Sequence, residues 1–388
     1  MTPAFPQNGP GCKPVFDDIE LLLMDKHTPP EALLKHMEEF GNEFEAGTWL
    51  RGAGQPDSFL NVPWPKVGGD SELDKLCQPD SLLSWDFNLF TLKELANGNP
   101  LAVIAYAILQ SHDLVSKLKM DDTVLKRYLF ALETTYNQCL YHNPMHAADV
   151  MHATNYFLQG DLANAISSEE LLITLLSGPV HDLGHPGVNN MLLIKQEHPV
   201  AVKYNNKSVL ENHHAWIALE LLKQPDMNVL GCFSEEKQEE LRQLMLDIVL
   251  YTDMTKHGGL VETLQAAKQR GLDISNADDR RLILQTIVHS ADLSNPCKTW
   301  KIHIQWTHAI LAEFFSQGDL ERHLGVEVTP MLDRSISCGR TSQKNFFAGF
   351  VRPLYVVCVE ALPMSKDLFA SCLTQLDANI ARWTELGF

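Results

Sequence analysis

No two of the eight cysteines form a C-x-x-C pair. They fall singly, at 12, 77, 139, 232, 297, 338, 358 and 372, a pattern that excludes a cysteine-based zinc knuckle and a disulfide framework. They read as reduced thiols packed like small hydrophobes. Nor is there an apolar run of the roughly eighteen residues that a membrane span needs. The longest candidates, such as Leu101 to Leu109, reach about half of it. Positive charge is scarce as well, with 31 Lys and Arg against 49 Asp and Glu and a formal net charge of −18. Such a chain has no cation surplus with which to neutralise a nucleic-acid backbone or an anionic membrane surface. The N-terminus lacks the apolar core of a signal peptide, so a cytoplasmic chain is expected.

Histidine, by contrast, is plentiful, with 16 residues, and 45% of the 388 positions are hydrophobic. That is enough for one large or two ordinary domains and too apolar for bulk disorder. An acidic protein that handles an anionic substrate must find positive charge locally, and bound metal supplies it.

Ten of the twenty prolines lie within residues 1–79. Residues 1–81 therefore read as an extension with at most short helices, one of them around Pro30 to Phe44. From Leu82 the texture changes to helical spacing of apolar residues with little strand-like alternation, which predicts an all-α body over residues 82–388. Ser167-Ser168-Glu169-Glu170 and Ser208-Val209-Leu210-Glu211 both carry the capping-box pattern of a helix start. Asp278 to Ala291 reads as a helix through Leu284, Ile287, Val288 and Ala291. Gln343, Phe346, Phe350 and Leu354 step by three, four and four, one face of a helix, with Phe347 and Phe350 expected in the core.

The chemistry-bearing groups are Tyr141-His142-Asn143-Pro144-Met145-His146-Ala147-Ala148-Asp149, His181-Asp182-Leu183-Gly184-His185 and His289-Ser290-Ala291-Asp292. His and Asp ligate zinc, magnesium and manganese without sulfur. Leu171 to Val180 would carry His181 and Asp182 deep into the protein, where an unpaired carboxylate is costly and a metal ion removes the cost. Read singly, each group has a plainer role: a hydrogen-bonded core His, a helix-ending Asp182, or an Asp292 ahead of a helix-stopping Pro296. Three apolar helices that each end in or contain such groups favour a shared metal.

The ordered series Tyr-His-Asn-x-x-His-Ala-Ala-Asp, His-Asp-Leu-x-His-Pro-Gly, Ser-Val-Leu-Glu-Asn-His-His, Thr-Asp-Met-x-Lys-His, Ala-Asp-Leu-Ser-Asn-Pro and Ser-Gln-x-x-Phe resembles the class I cyclic nucleotide phosphodiesterases, most closely their cAMP-specific branch. It runs from Trp85 to Trp383, about three quarters of the chain. The resemblance implies a compact multi-helix phosphodiesterase catalytic fold of the HD type. It implies that His146, His181, Asp182 and Asp292 bind zinc. Asp182 would also reach a second ion, magnesium or manganese, whose waters are held by His185, Glu211 and Thr252. Glu211 has a second reading, as the capping-box glutamate.

The expected reaction is in-line attack of a metal-bridging hydroxide on a 3′,5′-cyclic nucleotide, giving the 5′-nucleotide. His142, four residues before His146, is the candidate general acid; it shares that residue's face if the segment is helical. Tyr141 and Asn295 join the substrate-binding set. Gln343 would hydrogen-bond a purine edge, with Phe346 stacking on one face and Ile310 covering the other. Asn295 resembles the cAMP-preferring pattern.

Two residues depart from the family's pattern. Gly184 stands where relatives often carry a carboxylate, and His303 where cAMP-specific relatives commonly place Tyr. The alternatives are dual cAMP and cGMP hydrolysis, an HD-type phosphohydrolase of another nucleotide, and an inactive cyclic-nucleotide-binding scaffold. The N-terminal extension packs on the catalytic body or on a second subunit, which leaves a homodimer open.

Overall fold

The computed structural model describes residues 27–41, 58–336 and 339–388. Among them there is no strand, and the expectation of an all-α architecture is met. Numbered in chain order, the helices that matter below are α1 (Pro30–Glu39), α2 (Pro100–Ser111), α3 (Asp122–Thr135), α4 (Pro144–Phe157), α5 (Ser168–Val180), α6 (Asn190–Lys195), α7 (Val209–Leu222) and α8 (Glu235–Val249). They are followed by α9 (His257–Arg270), α10 (Ala277–Asp292), α11 (Trp300–His323), α12 (Gly339–Phe346), α13 (Arg352–Ala361) and α14 (Lys366–Glu385).

The centre is built from α4, α5 and α10, whose residues are buried nearly all round. A helix apolar on every side must lie inside, and α2, α7, α8 and α14 pack directly against these three. Gly178 of α5 lies directly against the backbone of Met151 on α4: a Cβ there would sit 2.9 Å from Met151 Cα. Among the described residues no single helix is long and apolar enough to cross a membrane. The six described cysteines are free thiols, four of them buried; Cys12 and Cys338 lie outside the described residues.

Two helix starts test the capping rule. Ser167 accepts from Glu170 N while Glu170 reaches back to Ser167 N, so this capping box forms as the spacing predicts. At Ser208 it does not. Ser208 is left-handed (φ 41) and caps nothing with its side chain; its hydroxyl donates to Asp253 at 2.6 Å. Asn190 takes over the start of α7, accepting from Leu210 N at 2.9 Å. Glu211 is freed for other work.

The helix expected around Pro30 to Phe44 is observed as α1; it ends at Glu39, where Phe40 turns extended, and residues 42–44 lie outside the described set. Leu33, Met37 and Phe40 pack with Val188, Leu192, Val200 and Leu320 in a second apolar cluster. Val62, Leu73, Cys77 and Leu82 belong to the main core.

The expected single face from Gln343 to Leu354 is broken by a π-helical stretch, Phe347–Val351. Pro353 cannot donate to the carbonyl four residues back, and a wider turn relieves that clash. The wider turn rotates Phe350 outward to 49% exposure while Phe347 and Leu354 stay buried. The core assignment of Phe350 is thus corrected, and that of Phe347 holds.

Candidate active site

The ends of α4, α5 and α10 converge. Asn143 accepts from Met145 N and His146 N and starts α4 at Pro144, which puts His146 in the first turn. His181 follows the last residue of α5, and Asp292 ends α10. His146 Nε2 lies 3.1 Å from Asp292 Oδ1 and 3.5 Å from Asp182 Oδ2. His181 Nε2 lies 3.0 Å from Asp182 Oδ2, 3.3 Å from Asp292 Oδ1 and 3.3 Å from His146 Nε2.

Four donor atoms on four side chains thus lie within 4.8 Å of one another. Around a cation whose bonds are about 2.0–2.2 Å long, neighbouring ligands stand roughly 3.0–3.5 Å apart. The observed separations match. His181 Nδ1 donates to Gly178 O at 2.7 Å, which turns the Nε2 lone pair towards two carboxylates. That arrangement is repulsive unless a cation or proton sits between them. His214 repeats the device: Nδ1 donates to Leu183 O at 2.7 Å, while the buried Nε2 has no hydrogen-bond partner and faces Asp182 Oδ1 at 3.8 Å. Burial works against ionising Asp182 and Asp292, yet the neighbouring imidazoles, His181 first, hold both well below the usual carboxylate range. The residues present fit a divalent ion.

Above the cluster opens a cavity of about 380 Å³. It is lined by Tyr141, His142, Asp182, His185, Glu211, Thr252, Asp292, Asn295, Ile310, Gln343 and Phe346, so each of these residues singled out in the sequence meets here. His146 and His181 lie behind the wall, buried. Asn190 donates to both Glu211 oxygens at 3.1 Å. Burial, reinforced by Asp253, raises Glu211 to about 7. Phe346 stacks on Phe350, ring centres 5.4 Å apart.

His142 is not on the helix, as the i,i+4 reading required, because Asn143 caps α4 after it. Two contacts aim it instead. Its ring stacks on His185 at 4.0 Å, and Nδ1 pairs with Glu313 of α11. The second Glu313 oxygen accepts from Tyr141 N at 2.8 Å and His142 N at 3.2 Å. Burial alone would lower the imidazole, but Glu313, with Asp182 behind it, raises it to about 9, and Glu313 itself falls to about 2. Glu313 escaped the sequence reading. The signal was there: one acid between Leu311-Ala312 and Phe314-Phe315 on an otherwise apolar stretch can be buried only if it is paired. His214, second of a His pair, offered no comparable cue.

The two departures have physical accounts. Gly184 has φ +75, and a Cβ would meet Ile217 Cδ1 at 2.9 Å; this backbone favours glycine over any carboxylate. His303 is fully buried and accepts from Trp383 Nε1 at 2.8 Å, and burial holds it down at about 3.

The sequence pattern of the 3'5'-cyclic nucleotide phosphodiesterase family matches residues 141–372. The chain belongs to that family. It is 36% identical over 303 residues to the 3',5'-cyclic-AMP phosphodiesterase 4C of Rattus norvegicus, covering 76% of this chain and 56% of the relative. The Mus musculus protein of the same name is also 36% identical, with 44% of its length covered. A probable 3',5'-cyclic phosphodiesterase, pde-1, of Caenorhabditis elegans is 36% identical over 282 residues, 72% of this chain and 42% of the relative. The chain thus spans about half the length of these relatives. Among solved structures, the phosphodiesterase domain of the RhoPDE fusion protein from Salpingoeca rosetta superposes with a TM-score of 0.74 at 28% identity. The match covers 81% of this chain and 98% of that one. Membership of the phosphodiesterase family fits the helical body and the converging His and Asp side chains described above.

Proposed function

We propose that this protein hydrolyses 3′,5′-cyclic nucleotides to 5′-nucleotides, cAMP in preference to cGMP, and so ends a cyclic-nucleotide signal. The observation that carries the reading is the convergence of His146, His181, Asp182 and Asp292, of which Asp182 and Asp292 line the same cavity as Gln343 and Phe346. These four side chains would hold zinc. Asp182, with His185, Glu211 and Thr252 bonding to water, would hold magnesium or manganese. When bound, the ions supply Lewis acidity, which lowers the pKa of water and neutralises phosphate charge.

The protein's own groups do the rest. His142, kept protonated by Glu313, delivers a proton to the departing ribose 3′ oxygen. Glu313 occupies Nδ1 and His185 stacks on the ring face, so the proton available for transfer is the one on Nε2. Gln343 offers a donor and an acceptor to the purine edge, Phe346 stacks on the base, and Ile310 covers the opposite face. Tyr141 and Asn295 complete the wall.

The test is hydrolysis of cAMP and cGMP by purified protein, side by side, before chelation, after it, and after zinc and magnesium or manganese are returned. Turnover that chelation abolishes and metal restores is the expected result. No turnover of either nucleotide under saturating metal would refute the reading.

A further inference from the structure

The two elements that bring the metal-capable side chains together meet again one level deeper. His146 and Asp292 approach to 3.1 Å. Three residues further along each strand of sequence, Asn295 Nδ2 donates to Asp149 Oδ2 at 2.7 Å. The other Asp149 oxygen lies 3.1 Å from Lys298 Nζ, and both side chains are 3% exposed. The ammonium rests 4.0 Å over the Trp85 ring, whose Nε1 donates to Cys297 O at 2.9 Å. On the cavity side the Tyr141 hydroxyl donates to Asn295 Oδ1 at 2.5 Å. Tyr141 and Asn295 line the cavity; Asp149, Lys298 and Trp85 stand behind them.

A carboxylate in an ion pair offers acceptors only. Asp149 therefore dictates which half of the Asn295 amide turns towards it, the NH2, and leaves Oδ1 for Tyr141. Each amide atom keeps one unused bonding direction, an N–H on one and a lone pair on the other. Donor beside acceptor in that order complements the N7 acceptor and N6 amino group of adenine. Guanine carries an acceptor, O6, in place of the amino group, so the amide as held sets Oδ1 against O6, and only the flipped amide pairs with guanine, donating to O6 and accepting from N1–H. Flipping would press Oδ1 against the Asp149 carboxylate. An ion pair sealed from water gives up much of its attraction to desolvation and is a weak source of stability; fixing one polar group in one orientation is what it does well.

We propose that Asp149 and Lys298 are positioning residues for base selection, acting through the orientation of the Asn295 amide. This rests on the cyclic-nucleotide reading above. The test compares kcat and KM for cAMP and cGMP in the metal-loaded wild type and in the double variant D149N/K298M. The double variant removes both charges together and puts at position 149 an amide that accepts or donates equally well. The preference for cAMP in kcat/KM should fall about tenfold, mostly through KM for cAMP, with metal content retained. Asp149→Asn alone, which leaves Lys298 over Trp85, is the second variant and is read the same way if the double variant does not fold. In an Asn295→Ala background the D149N/K298M change should cost no further preference.

A folded, metal-loaded variant with the wild-type ratio overturns the proposal, as does a full additional loss in the Asn295→Ala background. Wild-type protein inert towards both nucleotides instead overturns the parent reading, and this inference with it.

Discussion

Replacing Glu313 with Gln removes one charge from the group that aims and protonates His142 and changes the side-chain volume hardly at all. In the native protein one Glu313 oxygen pairs with His142 Nδ1 and the other accepts from two backbone N–H groups. An amide cannot satisfy both sides. If its oxygen stays with the backbone donors, its NH2 donates to Nδ1 and the ring is held neutral. If its oxygen turns to Nδ1, two backbone donors face an NH2. Either way the imidazolium loses its partner. With His142 raised to about 9 from an ordinary 6.5, about 97% of it carries both protons at pH 7.5; at the ordinary value about 9% would.

Protonation alone thus accounts for roughly a tenfold loss, and burial of an unpaired ring deepens it. We expect kcat at pH 7.5 to fall about 10²-fold, within the range of general-acid effects. KM and metal content should change little, and the alkaline limb of the kcat profile should move to lower pH. Steady-state kinetics from pH 6 to 9 on metal-loaded protein is the assay. An E313Q variant with wild-type kcat across that range would show that His142 does not depend on Glu313 and would refute the reasoning.

Three further outcomes follow from other sites. Asp182→Ala should abolish metal-dependent turnover and lower bound metal while circular dichroism shows the helices intact; retained activity would contradict the metal-holding role proposed for Asp182. Glu133, buried on α3 and accepting from Ala102 N at 2.9 Å, is raised by burial to about 8 from 4.5. Its neutral form suits the fold, so its contribution is complete below pH 4.5 and is lost as pH rises towards 8. Urea unfolding at pH 5 and pH 8.5 should show Glu133→Gln gaining on wild type by on the order of a few kcal/mol at the higher pH, and an unchanged gap would count against it. Gly184→Ala, forced to φ +75 with Ile217 Cδ1 at 2.9 Å, should cost about 1–3 kcal/mol in thermal unfolding; a neutral effect would mean that the loop relaxes freely.

The helical body and the metal-capable set could be read from the sequence because both depend on local patterns. Apolar spacing marked α5 and α10, and the His and Asp groups at their ends, each with a plainer role when read singly, together favoured a shared cation. What could not be read involved choices between partners far apart in the chain. Ser208 has the same capping pattern as Ser167, but Asp253 and Asn190 compete for it and win. Helical periodicity placed Phe350 inside, and a proline three residues later forced a wider turn. His142 was placed by i,i+4 spacing and is in fact aimed by Glu313, 171 residues away. Hydrogen bonds of that reach leave no periodic trace.

The contact of Gly178 with the backbone of Met151 has a bearing beyond packing. His146 lies five residues before Met151, and His181 three after Gly178, so the gap between these two imidazoles is set where two backbones touch without a side chain between them. A single methyl group there would act as a shim. It would spread the imidazoles apart from behind while every donor kept its identity, so the metal-holding geometry is guarded by a residue that carries no chemistry of its own.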